Sequence, residues 1–326
     1  MRALKVAFAS VLLACLTMQA PARAAEDFAN RRITLLVPFA AGGTLDILAR
    51  LLGEKLSDAF GPRVIIENRP GAGGIIASRQ LIGSEPDGHT LLLVAGGHAL
   101  NPLMYAQLPY DTLKDMTPVA LLAGAGNVVL VPTSSPYKSL SEILAAAKKD
   151  PGAITYGTAG VGTSVHLSGE LLKHQSGVGL TPVHFKGDSD SLTAVMGGHI
   201  PMSINSAPAA IAQVKQGSVR AIAVTSAARS AFLPDVPTIA ESDVAGYDVV
   251  NWWGVVAPGK TPRETIAKLN AAIQKAMKEL GGTERLKDLS IDVLAGSADD
   301  FDKLIRNEMK KWDPVVKAAG IKLDAK

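Results

Sequence analysis

Early in the chain a strand-like run ends in proline and two glycines and passes directly into a helical pattern: Val37-Pro38-Phe39-Ala40-Ala41-Gly42-Gly43-Thr44-Leu45-Asp46-Ile47-Leu48-Ala49-Arg50. This unit constrains the fold more than any other feature. Ile33 to Val37 is a short apolar run, and Ile47, Leu48, Leu51, Leu52 and Leu56 recur at helix spacing. The first turn of such a helix carries N–H groups without carbonyl partners and the positive end of the helix dipole. Gly42 and Gly43 let backbone approach a ligand closely, Thr44 is the expected N-cap, and a bound carboxylate would accept N–H bonds there. Asp46 suits the dipole equally as a capping acid or as a ligand contact. Taken alone, the glycine pair is also compatible with a tight βα turn that binds nothing.

A second element repeats the logic. Ile154-Thr155-Tyr156-Gly157-Thr158-Ala159-Gly160-Val161-Gly162-Thr163-Ser164-Val165-His166-Leu167-Ser168-Gly169-Glu170 reads as strand, glycine-rich turn with hydroxyls, then helix. Thr163 or Ser164 would cap and donate. His166 falls in the first turn, either as a ligand contact or as a buried histidine bonded to backbone. Two anion-ready helix N-termini suit a ligand held between two lobes.

The rest of the chain keeps this rhythm. Val64 to Glu67 and Leu91 to Val94 read as strands and Ile75 to Leu81 as a helix, which predicts a mostly parallel sheet with helices on its faces. Ser139 with Glu142, and Ser297 with Asp300, have the spacing of capping boxes; Thr261, Pro262 and Glu264 mark another helix start. The last helix places Phe301, Leu304, Ile305, Met309 and Trp312 on one side. Two apolar stretches, Val119 to Val131 and Val249 to Pro258, read as crossings between lobes. The expected division is a leader over 1–24, a first lobe from 25–124 plus 250–326, and a second from 125–249, with the ligand cleft between them.

Arg2 and Lys5, the apolar run Val6 to Met18, and Ala22-Arg23-Ala24 form a secretory leader with an A-x-A cleavage site. Cleavage after Ala24 leaves 302 of the 326 residues and predicts a periplasmic protein. Leu12-Leu13-Ala14-Cys15 offers a rival reading as a lipobox anchored at Cys15; Leu13 is an uncommon residue at its place in that motif. Cys15 is the sole cysteine, so the cleaved chain has no disulfide and no thiolate metal site. The leader carries Arg2, Lys5 and Arg23 and no acid, so its removal takes the formal charge from +3 to zero. No basic run interleaved with aromatics remains, which argues against nucleic acid as a partner. No later apolar run is long enough to span a bilayer.

Catalytic motifs are missing. No Gly-Lys-Ser/Thr follows a glycine loop, Gly160-Val161-Gly162 lacks the third glycine of a dinucleotide fingerprint, and no nucleophile elbow surrounds Ser164. The six histidines show no zinc-site spacing. Asp188 and Asp190 read as solvated loop acids. The expectation is a non-enzyme without cofactor or metal; a hydrolase using Ser164 and His166 is the competing reading.

The ordered series VPFAAGGTLD (37–46), VIIENRPGAGG (64–74), PDGHTLL (86–92), YGTAGVGTSVHLSGE (156–170), VHFKG (183–187), AVTSAARSAFLPDVPTIAE (223–241) and WWGVVAP (252–258) resembles the Bug family. These are periplasmic solute-binding proteins related to the tripartite tricarboxylate transporters. The resemblance runs from Ile33 to Ile321. It implies an α/β, two-lobed, Venus-flytrap fold of the type II-like periplasmic binding proteins, each lobe a sheet flanked by helices. It also implies a monomer that takes a small organic acid (a dicarboxylate, tricarboxylate or aromatic acid) for uptake by membrane components of such a transporter. A ligand-loaded sensor presenting its closed form to a membrane receptor is the alternative. By the same resemblance the ligand meets backbone N–H groups, hydroxyls and water along Phe39, Ala40, Gly42, Gly43, Thr44 and Asp46, along Ala159, Gly160, Gly162, Thr163, Ser164 and His166, and along Phe185, Lys186 and Gly187. Phe185 stands where tyrosine is usual, and Asn205 where relatives commonly have an acid. His98, in the Gly96-Gly97-His98 turn, is a further candidate. Trp252 and Trp253 either wall the pocket or pack a hinge.

Overall fold

The computed structural model describes residues 31–61 and 64–323. The leader, its cleavage site after Ala24 and the lipobox at Cys15 lie outside them.

Among the described residues ten strands form one continuous curled sheet in the order β2-β1-β3-β9-β4-β7-β5-β6, with β10 and β8 also paired to β4. At one end β1 (Ile33–Val37) pairs in parallel with β2 (Val64–Asn68) and β3 (Thr90–Ala95). At the other, β5 (Ile154–Thr158) pairs in parallel with β6 (Leu180–His184) and β7 (Met202–Ser206). The middle is antiparallel, which corrects the expectation of a mostly parallel sheet. Here β9 (Val250–Pro258) runs against both β3 and β4 (Met116–Pro132), and β4 also runs against β7, β8 (Val219–Val224) and β10 (Asp292–Gly296). The reason is that β4 and β9 are the return connections between the parallel ends, and a returning strand lies antiparallel to its neighbours. β4 pairs with β9 from Met116 to Gly126 and with β7 and β8 from Asn127 onward, so the chain changes partner at Gly126-Asn127.

Helices cover the sheet: α1 (Thr44–Phe60), α2 (Ile75–Ile82), α3 (Gly97–Met104), α4 (Leu140–Lys149), α5 (Ser164–Ser176), α6 (Asp188–Met196), α7 (Ala207–Lys215), α8 (Arg263–Gly281), α9 (Glu284–Asp288) and α10 (Ala298–Ala318). The helical spacing of α1 buries Leu48, Leu51, Leu52 and Leu56, as its sequence predicts. α10 spans both halves. Phe301 and Ile305 pack with Leu36, Trp252 and Val256, while Trp312, Val315 and Val316 pack with Leu167 and Tyr247. The Trp252 and Phe301 rings meet edge to face at 5.4 Å, a geometry that adds to their area burial.

The capping signals differ in outcome. Ser297 and Asp300 form a reciprocal box at α10. Ser139 accepts the Glu142 N–H, but the Glu142 carboxylate reaches back to Lys138 N–H, so the box is displaced by one residue. Thr261 does not cap α8; its hydroxyl donates to the Pro258 carbonyl and Pro262 takes the cap position. Among the described residues no helix is long and apolar enough to cross a membrane, and no group of three metal-ligating side chains occurs.

Candidate functional site

A cavity of about 580 Å³ opens where β4 changes partners, lined there by Ala125, Asn127, Asn251 and Trp253. Its walls are built largely from helix N-termini. Gly43, Thr44 and Leu45 bring the start of α1; Gly96 and Gly97 that of α3; Thr163, Ser164 and Val165 that of α5; Asp188 that of α6; Ser206 and Pro208 that of α7. Five positive dipole ends face one space. Among the described lining residues there is no lysine, arginine or histidine, and Asp188 is the single charged side chain. Leu100, Met104, Tyr105, Val161, Trp253 and Leu323 supply apolar wall. Phe39 and Val161 stand on the two opposed turns with nearly half of each exposed, at 44% and 49%.

The first turn is built by its acid. Gly43, not Thr44, is the N-cap of α1 and has no side chain to cap with. Asp46 reaches back instead. Its carboxylate accepts the Gly42 N–H at 2.9 Å, the Arg50 guanidinium through both oxygens, and Asn68 Nδ2 at 3.0 Å. The Arg50 hydrogen bonds hold the Asp46 carboxyl down to about 2 against the opposing effect of burial, with help from Gly42 and Asn68. Asp46 and Gly42 are therefore spent on the turn and lie off the cavity wall. The N–H groups of Thr44 and Leu45, in the first turn of α1, have no carbonyl one turn back.

The second turn is closed differently. Thr163 caps α5: its Oγ1 accepts the His166 N–H and donates to the Gly160 carbonyl at 2.7 Å. That hydroxyl hydrogen is thus committed within the turn. Gly160 and Gly162 take φ of +121° and +77°, which L side chains rarely adopt. His166 Nδ1 accepts the Gly162 N–H, and its ring meets His184 edge-on at 4.6 Å. His166 lies behind the turn, beside Glu170 and Lys173, and not on the cavity wall. Burial and the neighbouring His184 push its pKa down to about 4.

Of the expected contacts, Phe39, Gly43, Thr44, Ala159, Gly162, Thr163 and Ser164 are brought together on the cavity wall. Ala40, Gly42, Asp46, Gly160, His166, Phe185, Lys186, Gly187 and Asn205 are not among the lining residues. Phe185 packs against the apolar core and Lys186 is exposed. His98 is buried in the first turn of α3 and borders a smaller space behind the cleft; desolvation lowers its pKa to about 4. The glycines before it, Gly96 and Gly97, reach the cavity instead. Asn205 is buried in β7 and donates to the Asp188 carbonyl at 2.9 Å. Asp188, expected to be solvated, lies on the wall. Of the two tryptophans, Trp253 walls the cavity and Trp252 packs on Phe301. The strand–glycine–helix pattern at Leu91 to Gly97 was a usable signal for α3; nothing local points to Asp188, Asn127 or Asn251.

Residues 48–321 match the family described as "Tripartite tricarboxylate transporter family receptor", TctC. Protein BugT of Bordetella pertussis is 30% identical over 323 residues, 98% of each chain. The structure of R. palustris Rpa4515 with adipate is 36% identical with a TM-score of 0.76, covering 90% of this chain and 98% of that one. MatC of Rhodopseudomonas palustris with bound malate is 33% identical with a TM-score of 0.71, over 88% and 99% of the two chains.

Proposed function

This chain belongs to the TctC family of tripartite tricarboxylate transporter receptors, the Bug proteins among them, a family of periplasmic solute-binding proteins with the mixed α/β binding-protein fold; on that premise we propose that it captures a small carboxylate outside the cytoplasmic membrane for uptake. One observation carries the reading: helix N-termini from both ends of the sheet face a single cavity whose described lining holds no cationic side chain. In such a site backbone N–H groups and aligned dipoles bind the carboxylate. The contacts on the α1 side are Gly43, Thr44 and Leu45, and on the α5 side Ser164 and Val165, the Gly162 N–H being committed to His166. The two halves of the sheet act as lobes, with β4 and β9 as hinges near Gly126 and Val250. Closure between the Phe39 and Val161 turns excludes water, which strengthens each hydrogen bond inside. The chain is exported by its leader, works as a monomer, and hands its ligand to membrane components of a tripartite transporter.

The test is native mass spectrometry of protein purified without refolding, followed by thermal shift against mono- and dicarboxylates, because saturating ligand raises stability. Gly43→Val is the diagnostic variant. A Cβ at Gly43 meets only the Ala40 carbonyl, at 3.9 Å, so the fold tolerates it, while the added bulk blocks backbone approach. Affinity is expected to fall at least tenfold with the ligand-free melting temperature unchanged. Full affinity in the folded variant removes the assigned site.

A further inference from the structure

Among the described residues, the only charged side chain on the wall of this cleft is a carboxylate, in a site read above as binding carboxylates. Asp188 is the first residue of α6. Its Oδ2 accepts the Ser206 hydroxyl at 2.6 Å, and its Oδ1 accepts the Ser206 N–H at 3.3 Å and Asn205 Nδ2 at 3.2 Å. Ser206 is the N-cap of α7. The chain's own anion therefore occupies the N-termini of α6 and α7 together and offsets the positive ends of both. Only the α1, α3 and α5 ends remain for an anion brought by the ligand.

Asn127 strengthens the point. It lines the cavity, is fully buried, and its Oδ1 has no partner among the described residues. Its orientation is set by its neighbours. Ser168 Oγ gives its hydrogen to the Ser164 carbonyl at 2.8 Å, so it can only accept from Asn127, and does so from Nδ2 at 2.9 Å. The free end is then the carbonyl oxygen. Thus Asp188 on this wall is joined by a second acceptor, the buried and unpartnered Asn127 Oδ1 beside the cavity. On β9 the indole N–H of Trp253 is buried and also lacks a partner among the described residues.

We propose that Asp188 acts as a built-in anion that restricts the cleft to acids with one carboxylate, and that the ligand group facing Asp188 and Asn127 is a hydrogen-bond donor: a hydroxyl, amide or ammonium. The inference rests on the carboxylate reading above and narrows it. A second carboxylate placed at Asp188 meets a like charge with no side-chain cation among the described lining residues to offset it, whereas a donor completes both acceptors.

Two matched series test this by calorimetry on the full folded chain: hexanoate, 6-hydroxyhexanoate, 6-aminohexanoate and adipate; and 3-phenylpropionate, phenyllactate, phenylalanine and benzylmalonate. In at least one series the donor-bearing monoacids are expected to bind ten or more times tighter than the dicarboxylate. Asp188→Asn, with Asp188→Ser as a second variant, is expected to narrow that gap at least tenfold. If a dicarboxylate binds best and Gly43→Val abolishes it, the carboxylate site stands and the role of Asp188 is overturned. An order that survives both Asp188 variants overturns it as well. Binding of none of the eight acids ends both readings.

Discussion

The Nδ1 atom of His166 accepts the backbone N–H of Gly162 at 3.1 Å. An accepting Nδ1 fixes the tautomer with the proton on Nε2, toward Glu170, whose Oε1 lies 3.8 Å away. A second proton has no place on this ring without breaking the bond that holds the glycine turn.

Stability therefore depends on pH through His166 and the buried His98, both lowered from 6.5 to about 4. Above pH 6.5 both are neutral in folded and unfolded chains. Between about 6.5 and 4 the unfolded chain takes up protons that the folded chain refuses, so stability falls as pH falls. Each group can remove up to about 3 kcal/mol by pH 4. Urea denaturation at pH 7 and pH 4.5 is expected to show the loss, and His166→Gln to reduce its pH slope.

Asp46 acts in a lower window. Its carboxyl is depressed from 3.8 to about 2, so its contribution is complete above pH 4 and is lost as pH falls through 2. Asp46→Ala at pH 7 is expected to cost about 2 kcal/mol, and to loosen Gly42, whose N–H loses its acceptor. Chemical denaturation reads the first effect. Hydrogen exchange at Gly42 reads the second.

Of the chain's three tryptophans, Trp252 and Trp253 should report separately on the cleft; the third, Trp312, lies in α10. Trp253 walls it, whereas Trp252 is stacked edge-on against Phe301. Ligand addition is expected to change tryptophan emission in the parent chain and in Trp252→Phe, and to leave Trp253→Phe nearly silent. A signal retained in Trp253→Phe places the ligand elsewhere.

Gly169, inside α5, is a packing requirement. A Cβ there would stand 2.1 Å from Cε2 of Tyr156, a fully buried ring whose hydroxyl donates to Glu170 at 2.7 Å. Tyr156 cannot swing aside without giving up that bond. Gly169→Ala is expected to cost about 1–3 kcal/mol by overpacking, measured as a lowered denaturation midpoint with an unchanged slope.

Much of this protein was determined by local sequence. The strand–glycine–helix units at Val37 to Arg50 and Ile154 to Glu170 are local, because hydrophobic period, glycine dihedrals and first-turn N–H groups depend on residues within a few positions. The same holds for the Ser297–Asp300 box. The tertiary structure decided which of those turns share a cavity, and that the wall includes α3, α6 and α7 as well. Asp188 looks like a solvated loop acid until β7 sets Ser206 and Asn205 beside it, 18 and 17 residues further on. Asp46 and His166 carry ligand-like chemistry in the sequence, yet the fold directs both to hold glycine turns. A side chain's neighbours across the sheet follow from strand order, and strand order is fixed by long-range packing that no short stretch of sequence contains.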